Sequence, residues 1–206
     1  MTTQNKTIIT LPLDSSEQQR HCMVDIETFG NGNRSVITSI GAVALSIDTK
    51  EEDFGLFYVT VDPSSCSKIG MEMDASTVQW WLKQSDEARA AISHDDGLPI
   101  EVALGMLHEW YTQCQCKELW GNGATFDNVI LDSAYRLASD AGKTHAGKPI
   151  TPPWGFREHS CYRTLQKHFP NCKDGIENTV KHHALSDAIY QAKILQRILK
   201  KIAAAA

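Results

Sequence analysis

The chain has 206 residues, 42% of them hydrophobic and 22% charged, enough to bury a substantial core and too apolar for a disordered or fibrous protein. Its formal charge of −5, from 20 basic and 25 acidic residues, argues against a protein that coats nucleic acid through a general basic surface. No apolar run approaches the ~18 residues of a membrane span, the polar start "MTTQNKTIITLPLDSS" lacks a signal-peptide core, and six scattered cysteines without a C-x-x-C pair argue against a disulfide scaffold or structural zinc, so a cytoplasmic location is expected.

In chain order, the first strand is "HCMVDIET", His21 to Thr28, followed by the turn-forming "GNGN" at Gly30 to Asn33. "SVITSIGAVALSI", Ser35 to Ile47, and "FGLFYVTV", Phe54 to Val61, come next across the polar link "DTKEED", which suggests an antiparallel start. From Asp74 the pattern turns helical. Asp74 can cap "DASTVQWWLKQ", where Val78, Trp81 and Leu82 fall at i, i+3 and i+4. Further helices are expected at Asp86 to Ile92 and from Ile100 to about Gln113, then a short buried strand in "CKELWGN", Cys116 to Asn122. A helix in "TFDNVILDSAYRLASDAG" should end with Gly142 as its C-cap. After the loop "GKPITPPWG" and the segment "FREHSCYRTLQKHF", the long amphipathic helix "ALSDAIYQAKILQRILKKI" closes the chain. Strands first, then helices alternating with strands, indicate an α/β domain with a mixed sheet. Residues 1–20 read as an N-terminal extension, 21–202 as the domain and 203–206 as an alanine tail.

Three features carry chemistry. In Asp25-x-Glu27, residues two apart on a strand point to one face, so both carboxylates emerge together near the strand's end. Like charges so placed repel unless a cation lies between them, although a solvated strand terminus is the plainer reading. In "WGNGATFDN", Asp127 falls in the first turn of a helix, where the helix dipole alone would favour an acid; it also lies beyond a strand end, where open α/β sheets put their sites. In "KHHALSDA", Asp187 sits early in the last helix. His182, five residues away and so roughly 140° around a helix, cannot share its face, whereas His183 at four residues can. Singly each acid is ambiguous. Together, four carboxylates at strand and helix ends with a histidine nearby suit hard cations such as Mg²⁺ or Mn²⁺, with the imidazole free to take a proton from water.

These pieces, "DIET", "NGATFD" and "HHALSDA" in that order, resemble the DEDD superfamily of 3′→5′ exonucleases in its histidine branch. The chain is most similar to the exodeoxyribonuclease VIII-like and related bacterial and phage 3′→5′ exoribonuclease group, a likeness extended by "SIGAV", "TVQWWLKQSDEARAAI", "LWGNGATFDNVIL" and "RTL" over roughly Met23 to Leu195. The resemblance implies a ribonuclease H-like α/β fold, a five-stranded mixed sheet flanked by helices. It implies Asp25, Glu27, Asp127 and Asp187 as ligands of two Mg²⁺ or Mn²⁺ ions, and His182, from the H-x4-D spacing, as general base on a loop free to swing in. It implies hydrolysis of single-stranded DNA or RNA, or of a 3′ overhang, with release of nucleoside 5′-monophosphates, and by analogy a homodimer. Expected substrate contacts are Thr28, Phe29, Trp80, Asn122, Phe126 and Arg163. Met71 and Trp81 are further candidates for stacking on the 3′ base, and Lys167 and Lys181 for phosphates, each with an ordinary core or surface alternative. One departure is "EHSCYRTL", with His159 where relatives often carry an acid. Two other readings share the fold: a ribonuclease H-type endonuclease, and a non-catalytic nucleic-acid-binding module, against which the full set of acids and base speaks.

Overall fold

The computed structural model describes residues 7–12, 20–48, 53–93, 95–123, 125–178 and 180–205. Most of the link "DTKEED", much of the N-terminal extension and Ala206 lie outside them. The chain runs β1 (Ile8–Ile9), β2 (Arg20–Thr28), β3 (Ile37–Leu45), β4 (Gly55–Thr60), α1 (Pro63–Lys68), α2 (Ala75–Trp81), α3 (Asp86–Ile92) and α4 (Ile100–Gln113). It continues through β5 (Cys116–Gly121), α5 (Asp127–Asp140), a small hairpin of β6 (Thr144–His145) and β7 (Lys148–Pro149), β8 (His159–Cys161), α6 (Tyr162–His168), a 3₁₀ turn (Pro170–Lys173) and α7 (Ala184–Ala205).

The main sheet has the order β1-β4-β3-β2-β5-β8, antiparallel from β1 to β2 and parallel from β2 through β5 to β8. This is the mixed α/β arrangement expected of a ribonuclease H-like fold, with six strands instead of five. The sixth comes from the segment read as an extension: Ile8 and Ile9 pair with Tyr58 and Phe57, and Thr10 exchanges backbone hydrogen bonds with Leu56. An edge strand leaves a row of N–H and C=O groups unpaired, and two residues of extra chain cover that of β4.

Every residue of β3 is buried, as a central strand with both faces covered requires. Cys22, Val24 and Ile26 of β2 face a core shared with α1, α4 and α5, whereas Met23 faces a second core built largely on α7. By the period of two, Asp25 and Glu27 lie on the Met23 face, under α7. Helix ends follow local chemistry. The Asp74 carboxylate accepts the Ser76 N–H at 2.8 Å to start α2, and Gly142, just past α5, adopts φ +67°, a conformation glycine reaches without steric cost. The alanine tail continues α7 as far as Ala205. Among the described residues, no helix is long and apolar enough to cross a membrane.

One close approach sets up the site. Gly41, paired with Asp25 across β2 and β3, lies so near α7 that an added Cβ would come within 2.3 Å of the Ala184 carbonyl carbon and the Leu185 nitrogen. Backbone cannot yield as a side chain can, so Gly41→Ala should lift the start of α7 and cost about 1–3 kcal/mol, a fall in melting temperature of roughly 2 to 12 °C. An unchanged thermal melt would contradict this packing.

Candidate active site

The end of β2 and the first turn of α7 bring Asp25, Glu27 and Asp187 together. Their carboxylate oxygens lie within 4.8 Å of one another, the one such group of three found among the described residues. A register shift between Glu27 and Thr28, where β2 meets β3, falls beside the acid pair; such bulges re-aim side chains and are common next to active sites. Asp127 opens α5 and lines the same pocket but stands apart from the trio. Its Oδ1 accepts the Ile26 N–H at 3.2 Å and its Oδ2 the Asn122 N–H at 2.9 Å, so backbone donors hold both oxygens, each with a lone pair to spare.

None of Asp25, Glu27 and Asp187 is ion-paired among the described residues. Burial, then the charges of Asp127, Glu27 and Asp187, push the Asp25 carboxyl well above the ordinary range, a rise the Gln191 N–H partly offsets. Burial and the charges of Asp187 and Asp127 push Glu27 up to about 8. Asp127 is raised to about 6 by burial, against the lowering effect of its backbone donors and of Arg163. Repelling, desolvated carboxylates of this kind fit divalent cations, and an all-oxygen donor set suits Mg²⁺ or Mn²⁺ better than a soft metal.

The sign of the resulting pH effect follows from linkage. Glu27 holds a proton in the folded protein up to about pH 8, whereas the unfolded chain releases it near pH 4.5. Between these values the folded state binds more protons, so metal-free stability falls as pH rises. Glu27→Gln removes this titration. In chelator, the variant should lose less stability than wild type between pH 5 and pH 8, and at pH 8 it should melt roughly 2 to 8 °C higher, the equivalent of about 1–2 kcal/mol. Parallel profiles for the two proteins would contradict the electrostatic picture.

The two adjacent histidines do different things. His183 precedes α7 as its cap: its Nδ1 accepts the Ser186 N–H at 3.4 Å and its carbonyl the Asp187 N–H at 3.0 Å. Its ring stacks on Tyr58 at 4.7 Å between centroids and 21° between planes, and burial lowers its pKa. Because residue 183 is a cap and not part of the helix, the shared-face argument with Asp187 does not apply to it. His182 lines the acid pocket. Residue 182 lies on the loop before α7 with φ +58°; its N–H donates to Asp187 Oδ2 at 3.0 Å, and its ring meets Trp80 and Trp81 edge-on at 5.1 and 6.0 Å.

Beside the acid pocket is a cleft of about 450 Å³ whose lining includes Thr28, Asn31, Trp80, Trp81 and Phe126; Ile26, Glu27 and Phe126 line both. Trp80 is 43% exposed, while Trp81 is buried, its Nε1 donating to the Thr28 carbonyl at 2.8 Å. Phe29 does not line this cleft. It packs against the Trp81, Ala88 and Ile92 cluster and lines a separate hollow with Leu82 and Arg89, because it lies past the end of β2, where the two-residue alternation of a strand no longer applies. Met71 is buried in the core. Asn122 and Arg163 line the acid pocket, with Arg163 Nε donating to Asn122 Oδ1 at 3.4 Å. Lys167 and Lys181 are exposed and line neither. His159 faces Asp132 on α5 at 3.3 Å, away from the acids.

Sequence reasoning missed Asn178 and Gln191, whose amide nitrogens donate to Asp187 Oδ1 and, at 2.9 Å, to Asp25 Oδ1. Gln191 carried a signal, since it follows Asp187 by four residues on a helix. Asn178, in an irregular segment, carried none.

The family described as the 3'-5' exoribonuclease Rv2179c-like domain matches residues 20–199. Among solved structures, the crystal structure of cell-death related nuclease 4 is similar, with a TM-score of 0.50 and 13% identity over 89% of this chain. The chain spans 64% of that nuclease, and at such identity the likeness is one of fold. No curated protein matches the sequence significantly.

Proposed function

Because the chain belongs to the Rv2179c-like family of 3'-5' exoribonuclease domains, we propose that it is a metal-dependent 3′→5′ exonuclease of the DEDD histidine branch that trims single-stranded RNA, or a 3′ overhang, and releases nucleoside 5′-monophosphates. The observation that carries this reading is the convergence of Asp25, Glu27 and Asp187 in a pocket that His182 also lines. These three carboxylates, with the free lone pairs of Asp127, would hold two Mg²⁺ or Mn²⁺ ions. Such ions supply Lewis acidity, lowering the pKa of a bound water and offsetting charge on a departing oxygen.

The chain's own residues do the rest. An imidazole nitrogen of His182 takes the proton of the attacking water, which general-base catalysis rewards with about 10²–10⁴ in rate. Trp80, with half its face open beside Phe126, stacks on the terminal base, worth about 1–3 kcal/mol. Arg163, steadied by Asn122, takes a phosphate oxygen. The polar side of the cleft, where Asn31 Nδ2 donates to Thr77 Oγ1 at 3.2 Å, offers partners for a ribose 2′-hydroxyl, the group that distinguishes RNA from DNA.

The test is a side-by-side digestion of matched single-stranded RNA, single-stranded DNA and duplexes with 3′ overhangs, in Mg²⁺ and in Mn²⁺. RNA should be shortened about tenfold faster than DNA, the value of one hydrogen bond near 1.4 kcal/mol. Faster digestion of DNA would move the assignment to a deoxyribonuclease.

A further inference from the structure

We infer that Gln191 is a positioning residue of the acid site: its amide N–H grips Asp25, and its amide oxygen accepts a hydrogen bond from a water of the divalent cation that Asp25, Glu27 and Asp187 hold. This rests on the metal-dependent reading above. Gln191 lies one helical turn beyond Asp187 on α7, lines the acid pocket and is only 4% exposed. Its Nε2 donates to Asp25 Oδ1 at 2.9 Å. The form of Asp25 that holds a cation is the ionised carboxylate, which can only accept, so in that form the amide presents Nε2 to it. Oε1 then faces away from Asp25; it is buried, and among the described residues no donor reaches it.

A buried oxygen without a partner costs stability, and an apolar side chain of the same volume would escape that cost. A donor from outside the chain accounts for the amide. The identity of the residue fits a cation as well. A lysine or arginine at this position would neutralise Asp25 and repel a metal, whereas a neutral amide orients the carboxylate and leaves its charge available. Water on a hard divalent cation is a polarised donor, and side chains that brace a ligand from behind are commonly worth 10–100-fold in metal affinity. Asn178 repeats the arrangement on Asp187, its Nδ2 donating to Oδ1 while its own Oδ1 is buried and has no donor among the described residues.

The experiment is a calorimetric Mn²⁺ titration of wild type, Q191M, Q191E and Asp25→Asn, with melts in chelator and in Mn²⁺. Q191M should bind Mn²⁺ about tenfold more weakly and show a smaller Mn²⁺-induced rise in melting temperature. Q191E, which like Q191M loses the N–H on Asp25 but keeps an acceptor oxygen, should bind more tightly than Q191M. Equal affinity of Q191M and wild type, or binding by Q191E no tighter than by Q191M, overturns the role of Oε1. If wild type shows no Mn²⁺ binding that Asp25→Asn abolishes, the metal-dependent reading itself is overturned, which is a separate result.

Discussion

Asp25→Asn should reduce release of a 3′-terminal label from an RNA oligonucleotide in Mg²⁺ by about 10²–10³ or more, the scale set by removing one group that stabilises transition-state charge, while leaving the protein at least as stable as wild type. Both halves follow from the same geometry. Asp25 is in the group of three convergent carboxylates, has no ion-pair partner among the described residues, and is held well above its ordinary pKa by burial and by three neighbouring acids. An asparagine keeps the acceptor for Gln191 Nε2 and removes one of the repelling charges. Loss of function with gain of stability is the mark of a site whose charges serve a ligand instead of the fold. A variant that melts far below wild type would show instead that Asp25 serves the fold, and equal rates would remove it from the chemistry.

His182→Ala and His183→Ala should separate turnover from stability. The first removes the imidazole that lines the acid pocket and should lower kcat by about 10²–10⁴, with a loss of melting temperature limited to its edge-on contacts with Trp80 and Trp81. The second removes a ring stacked on Tyr58, worth about 0.5–1.5 kcal/mol, and the cap on Ser186, worth about 1 kcal/mol. It should melt several degrees lower with kcat within a few-fold of wild type. Single-turnover rates and thermal melts of the two variants check the pair, and the reverse ranking would transfer the base to His183.

The acid pair of β2 was legible because a period of two leaves no choice of face. The bounds of α3 and α4 were legible in the sequence, and Gly142 from the chemistry of helix ends. Two residues, Ile8 and Ile9, carry no pattern of their own and become a strand only because β4 offers an edge. Helix α1 begins with an Asp62 cap whose carboxylate accepts the Ser64 N–H, followed by Pro63, a signal that was present but short. What the sequence concealed is which surfaces meet. Phe29 and Phe126 look equally suited to a nucleobase, yet only Phe126 reaches the cleft. Trp80 and Trp81 are neighbours, yet one is half open and the other fixed to the Thr28 carbonyl. That Asp127 is held by two backbone donors while the other three acids converge depends on how β5 turns into α5, which no spacing in the sequence reveals.

Directionality is the central claim, and the most direct measurement of it is a time course on 5′-labelled single-stranded RNA with Mg²⁺, run beside a circular RNA of the same sequence. A 3′→5′ exonuclease should produce a ladder that shortens one nucleotide at a time, with nucleoside 5′-monophosphates accumulating and the circle intact. Internal fragments from the linear RNA, or opening of the circle, would contradict it and identify an endonuclease on the same fold.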